Sequence, residues 1–212
     1  RSYIHILDYT PDFTIYDRAD QLSLVRKIFK QINLDTKTYS VQAFLSTINT
    51  SKIYGVSPEE LLKEAVHSVD KRMAEVYSLY EKQMKDANAL DFDDLMIKTI
   101  TLFKKSPDVL EFYQNELKYI MVDEYQDTST LQYEVIHMLA RKHRNLCVVG
   151  DEDQSIYSWR GANIENILSF ESDYTEAQVI KLEENYRSTQ TIVNAASEVI
   201  RNNNIRKEKT LH

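Results

Sequence analysis

Two adjacent carboxylates, Asp123 and Glu124, close a short apolar run, Tyr119-Ile120-Met121-Val122. In open parallel α/β sheets the carboxyl ends of the strands are where ligands bind. There one carboxylate can hold a nucleotide-bound magnesium while its neighbour orients a water for attack on a γ-phosphate. A second apolar run, Leu146-Cys147-Val148-Val149, leads into Gly150-Asp151-Glu152-Asp153-Gln154 and then into Tyr157, Trp159 and Arg160. An exposed tryptophan beside a tyrosine and an arginine suits a stacking platform for single-stranded bases, each worth roughly 1–3 kcal/mol. A third run, Val179-Ile180-Lys181-Leu182, precedes Glu184-Asn185-Tyr186-Arg187-Ser188-Thr189. Its tyrosine offers a face to a nucleobase, and its guanidinium suits phosphate charge or an arginine finger reaching from a second lobe. Each block alone has an ordinary structural alternative: an acidic strand end, a buried tryptophan with a surface arginine, a short run arising by chance.

The elements that must position these groups divide into two grammars. From Ala19 to Ile32, Leu22, Val25, Phe29 and Ile32 recur at helical spacing, and Val41, Phe44, Leu45 and Ile48 repeat the pattern. Ser57-Pro58-Glu59-Glu60 is a capping box with proline at the first helical position. Leu61 to Met84 reads as one long amphipathic helix or two broken near Ser68. After Asn88 the three apolar runs of strand length alternate with helical segments at Thr130 to Arg141 and from Ile164 to Phe170. That alternation predicts an α/β fold with a parallel sheet buried on both faces.

Composition narrows the class. With 212 residues, 42% apolar and 28% charged, the chain can bury one large or two small cores. Only three glycines and three prolines favour long helices over an all-β design. Cys147 is alone, so no internal disulfide forms, and no zinc-type spacing links it to the five histidines. No apolar run approaches the ~18 residues that span a bilayer, and no signal pattern opens the chain, so a cytoplasmic protein is expected. A net charge of −7 argues against nucleic-acid coating over the whole surface but permits a local track. Arg141, Lys142, His143, Arg144 and Arg206, Lys207, Lys209 are candidates, with solvated helix ends the preferred reading.

Taken together, VDEYQDTS, GDEDQSIYSWRGA and NYRST resemble the superfamily 1 DNA helicases of the PcrA, UvrD and Rep group in wording, order and spacing; LDFDD at Leu90 to Asp94 and NILSFE at Asn166 to Glu171 extend the likeness. The resemblance implies that Asp123 binds Mg2+, Glu124 is the general base and Gln154 touches the γ-phosphate of ATP. It implies single-strand DNA contacts at Tyr157, Trp159 and Arg160, adenine stacking by Tyr186 and an arginine finger at Arg187. It further implies a RecA-like parallel sheet of the P-loop NTPase type. Residues 1–14 and 91–187 would form part of a first lobe, 15–90 an all-helical inserted subdomain, and 188–212 the start of a second lobe. Movement would run 3′ to 5′ toward a duplex junction.

A phosphate-binding loop, GxxxxGK followed by Ser or Thr, is absent; Gly55, Gly150 and Gly161 are too far apart to supply it. The chain is therefore expected to be a fragment that hydrolyses ATP negligibly by itself. Glu184 stands where many relatives carry Gln, and Ser158 where a basic residue is common. A helicase-nuclease subunit of the AddA or RecB type is the alternative enzyme class. Those proteins usually read Lys-Gln at the place of Asp153-Gln154 and often Phe at the place of Trp159. A non-catalytic DNA- or partner-binding module is the other alternative, against which the apparently intact set of motif residues speaks.

Overall fold

The structure is a computed structural model describing residues 1–203, with Arg160 described in its backbone only. The chain forms two compact units, Arg1–Glu116 and Leu117–His212.

In the first unit, β1 (Thr14–Tyr16) pairs in parallel with β2 (Ala89–Asp91), in the register Thr14 to Ala89 and Tyr16 to Asp91. Between these strands run α1 (Arg18–Gln31), α2 (Val41–Ile53), α3 (Pro58–Lys63) and α4 (Ser68–Asp86). The helical spacing read in the sequence is borne out here: Val25, Ile28 and Phe29 of α1, Phe44, Leu45 and Ile48 of α2, and Val76 and Tyr80 of α4 make one buried core. Phe29 and Phe44 meet edge to face, ring centres 5.0 Å apart. Leu61 to Met84 is two helices, broken before Ser68. Ser57 Oγ accepts from the Glu60 N–H (3.2 Å) while Glu60 Oε2 accepts from the Ser57 N–H (2.8 Å), which completes the expected capping box.

After β2 come α5 (Phe92–Lys105) and α6 (Pro107–Glu116). Asp91 caps α5: its Oδ1 accepts from the Asp94 N–H at 2.9 Å. Its other oxygen binds Lys52 Nζ of α2 at 2.6 Å and the Tyr80 hydroxyl of α4 at 3.1 Å. Lys52 also lies 2.9 Å from Asp94 Oδ1 and 3.6 Å from Glu81 Oε1, so a buried lysine sits among three carboxylates from three elements. LDFDD thus acts here as a strand end, a helix cap and a buried ion-pair centre.

The second unit contains β3 (Ile120–Val122) and β4 (Leu146–Val148), parallel and joined by α7 (Thr130–Ala140), as the sequence predicts. It continues through the short α8 (Glu165–Leu168) and α9 (Phe170–Asp173) to α10 (Gln190–Ile200). Two expectations are corrected. Val179–Leu182 is not a strand: it runs as irregular chain, and Ile180 and Leu182 face solvent. Nor is this two-stranded sheet buried on both faces, because the face carrying the paired Met121 and Cys147 is open to solvent, Met121 being 78% exposed. The observed architecture is mixed α/β, with many helices and two small parallel sheets.

Of the basic clusters, Arg206, Lys207 and Lys209 lie outside the described residues. Arg144 is committed locally, with Nε and Nη2 donating to the two Glu176 oxygens (2.5 and 3.0 Å) and its guanidinium 4.6 Å from the Tyr174 ring centre.

Candidate functional site

Asp123 and Glu124 emerge from β3 into solvent, with Asp123 Oδ1 accepting from the Glu124 N–H at 2.9 Å. Glu124 holds a left-handed backbone, φ +49°, which costs a non-glycine residue on the order of 1–3 kcal/mol and is concentrated at functional sites. That turn aims the next residues inward: Tyr125 and Gln126 are buried, and the Tyr125 N–H bonds back to the Val149 carbonyl at 2.9 Å.

Gln126 joins the ends of the two strands. Its Nε2 donates to Glu124 Oε2 (2.7 Å), and its Oε1 accepts from the Asp151 N–H (3.0 Å). Asp151 then orders its own loop, accepting from the Asp153 N–H at 3.0 Å and from Gln154 Nε2 at 2.8 Å. Glu124 and Gln154 are thereby linked through two intervening side chains. Gly150 leaves the room this requires, because a Cβ there would stand 2.6 Å from Gln126 Oε1 and 2.8 Å from Ile167 Cδ1. Gly150→Ala is accordingly expected to destabilise this unit by ~1–3 kcal/mol, read as a lower urea midpoint.

Beyond Gln154 the chain makes a 3₁₀ turn, Ser158–Arg160, closed by Gly161 at φ +90°. Trp159 stands 73% exposed, its ring 6.3 Å from that of Tyr157 and tilted by 53°. The Arg160 side chain lies outside what is described. The turn is tied to the β3 side by an antiparallel bridge, Ser129 to Ala162, and by buried Asn166, whose Nδ2 donates to the Thr128 carbonyl (2.9 Å) and Thr128 Oγ1 (3.0 Å).

Tyr186 and Arg187 follow the extended segment. The Tyr186 ring is 87% exposed, its hydroxyl donating to Glu184 at 2.7 Å, and Asn185 Oδ1 accepts from the backbone N–H groups of Arg187 and Ser188 at 3.0 and 2.9 Å. Their hydrogen bonds are local, and none reaches the strand-end carboxylates among the described residues. The structure therefore brings Asp123, Glu124 and Gln154 into one bonded cluster, with Tyr157 and Trp159 on the same loop, and leaves Tyr186 and Arg187 apart from it. Gln126 and Asn166 were not singled out in the sequence, and Asp151 was read there only as the acidic end of the second strand. The one available signal is that Gln126 and Asn166 are amides inside the matching segments, uncharged where neighbouring polar residues are acidic.

Neighbouring parallel strands ending in carboxylates, one of them leading into an aromatic loop, define a mixed α/β protein with its polar cluster at the strand ends. The chain belongs to the UvrD/REP helicase family: the N-terminal domain of that family matches residues 1–175. It is 52% identical over 200 residues to the ATP-dependent DNA helicase PcrA of Staphylococcus aureus (strain Mu50), and 52% identical over 200 residues to that of Bacillus subtilis (strain 168). Each comparison covers 94% of this chain and 27% of the relative.

Proposed function

We propose that this chain is the central part of an ATP-dependent DNA helicase that steps 3′ to 5′ along single-stranded DNA toward a duplex junction. The observation that carries the reading is the bonded path from the β3 carboxylates through Gln126 and Asp151 to Gln154, at the head of a loop that presents Trp159 to solvent. Such a path would let nucleotide state at the β3 carboxylates bias the loop that carries Trp159, as coupling hydrolysis to base stacking requires.

The donor set fits magnesium nucleotide. Asp123 and Glu124 are solvent-facing oxygen donors, and Mg2+ takes one or two carboxylates alongside water and phosphate oxygens rather than a full protein cage. Among the described residues no cluster of three or more His, Cys, Asp or Glu is placed to hold a metal, which leaves that sparse mode. Asp123 would hold the ion, whose bound charge offsets the negative charge developing on the transferred phosphate. Glu124 would take the proton of the attacking water, and Gln154 would touch the γ-phosphate. Tyr186 would stack on adenine, with Arg187 as the finger once a second lobe closes. We assign residues 1–14 and 91–187 to a RecA-like first lobe, 15–90 to a helical insertion and 188–212 to the second lobe. Residues 204–212 of that last stretch lie outside the described residues.

Tyr157, Trp159 and Arg160 would carry the single-strand contacts. Trp159→Ala is expected to weaken single-stranded oligonucleotide binding by ~1–3 kcal/mol, about 5- to 150-fold, with the remaining affinity falling steeply with salt. Fluorescence titration of labelled oligonucleotide reads this, and unchanged affinity in a variant with an unchanged circular dichroism spectrum removes the stacking role.

A further inference from the structure

We propose that Gln126 is a positioning residue for hydrolysis, fixing the Glu124 carboxylate against the backbone of the second strand end so that Glu124 and the Asp151–Gln154 loop act in register. The inference rests on the assignment of Glu124 as general base.

Three observations carry it. Gln126 is 1% exposed, yet both ends of its amide are used, Nε2 toward Glu124 and Oε1 toward the Asp151 N–H. A buried amide is tolerated at such a place when both ends are paired, because an unpaired end gives up its hydrogen bond to water without replacement. The amide's polarity also matters. A donor faces a carboxylate and an acceptor faces a backbone N–H, an arrangement that neither glutamate nor an apolar side chain reproduces. Finally, Glu124 is itself exposed and held in a left-handed backbone, so its own packing does little to orient its carboxylate. The donor from Gln126 fixes one carboxylate oxygen and leaves the other for a water. The backbone here reinforces the arrangement, since the Gln126 carbonyl accepts from Ser155 Oγ at 3.3 Å.

A purely structural role and a positioning role separate cleanly. Gln126→Glu keeps the volume and the acceptor for the Asp151 N–H but replaces the donor to Glu124 with a like charge. Gln126→Met removes both contacts. If Gln126 only holds the Asp151 loop, Gln126→Glu behaves as the parent while Gln126→Met loses activity. If it positions Glu124, Gln126→Glu lowers kcat for DNA-stimulated ATP turnover at least ~10-fold with KM for ATP within ~2-fold. The measurement is made in the full-length gene product and closed as a cycle with Glu124→Gln. In the Glu124→Gln background, Gln126→Glu should cost less than ~2-fold further, because its effect passes through the carboxylate already removed. Because the introduced charge is repelled by Glu124 but not by glutamine at 124, any loss of stability differs between the two backgrounds, and each rate is divided by the folded fraction read from circular dichroism before the costs are compared. Equal costs in the two backgrounds, or a Gln126→Glu enzyme with the parent kcat, overturn the positioning role. An unimpaired Glu124→Gln enzyme instead overturns the assignment of the base.

Discussion

Glu124→Gln in the full-length gene product is expected to lower DNA-stimulated ATP turnover by ~10²–10⁴-fold while nucleotide affinity stays within ~2-fold. The substitution is conservative in every respect but one. Glutamine fills the same volume, tolerates the same left-handed backbone at the cost already borne by Glu124, and still accepts the hydrogen bond from Gln126 Nε2. Only the ability to take a proton from water is lost. Asp123→Asn should separate from it by raising KM for Mg·ATP, since metal binding rather than proton transfer is removed. In this chain alone no GxxxxGK loop is present to cradle the phosphates, so its turnover with single-stranded DNA should match that of the Glu124→Gln chain. A steady-state rate clearly above that control shows that the loop is dispensable. Full activity of Glu124→Gln in the complete protein would falsify the assignment of the base.

What the sequence could disclose follows from how local each signal is. α1, α2 and α7 were legible because an amphipathic face repeats over several turns, and α3 because its cap is written within four residues. β3 and β4 were legible because their apolar runs end in acid. The third run, Val179–Leu182, is apolar apart from Lys181, yet a strand exists only where it forms a backbone ladder, and composition does not reveal whether one forms. β1 and β2 escaped for the opposite reason, since three residues flanking long helices are too few to show alternation. At the site, Asp123, Glu124 and Trp159 were singled out by residue type and position in the sequence, and Gln154 through the family resemblance. Gln126 and Asn166 needed the fold, because an amide becomes informative only when it is buried with both ends paired. Lys52 was the least legible. A lysine near the end of an amphipathic helix reads as solvated, and its partner Asp91 lies 39 residues away.

Lys52→Met is expected to cost the first unit ~3–5 kcal/mol, seen as a large drop in the urea midpoint of its helical circular dichroism signal. The side chain is 3% exposed, and its removal leaves Asp91, Asp94 and Glu81 facing one another, with Lys98, 3.8 Å from Asp94, the one cation paired with them among the described residues. The three carboxylates are not equivalent. Burial alone would raise the Asp91 carboxyl, but Lys52 beside it and hydrogen bonds from Lys52, the Asp94 N–H and Tyr80 bring it below 3.8. Its contribution is present above that unfolded value and is lost as pH falls through the folded one. Glu81 behaves oppositely: burial outweighs the more distant Lys52 and lifts it above 4.5, and Oε1 accepts no hydrogen bond among the described residues. The folded state therefore holds the Glu81 proton more tightly than the unfolded chain does, so its ionisation erodes stability as pH rises from 4.5 through the folded value. Glu81→Gln should be neutral or stabilising near pH 7, with its advantage over the parent shrinking as pH falls toward 4.5. Urea unfolding of the three proteins across pH tests the set. A Lys52→Met variant as stable as the parent, or a Glu81→Gln variant as damaging as Lys52→Met, shows that the buried charges are not coupled as their geometry implies.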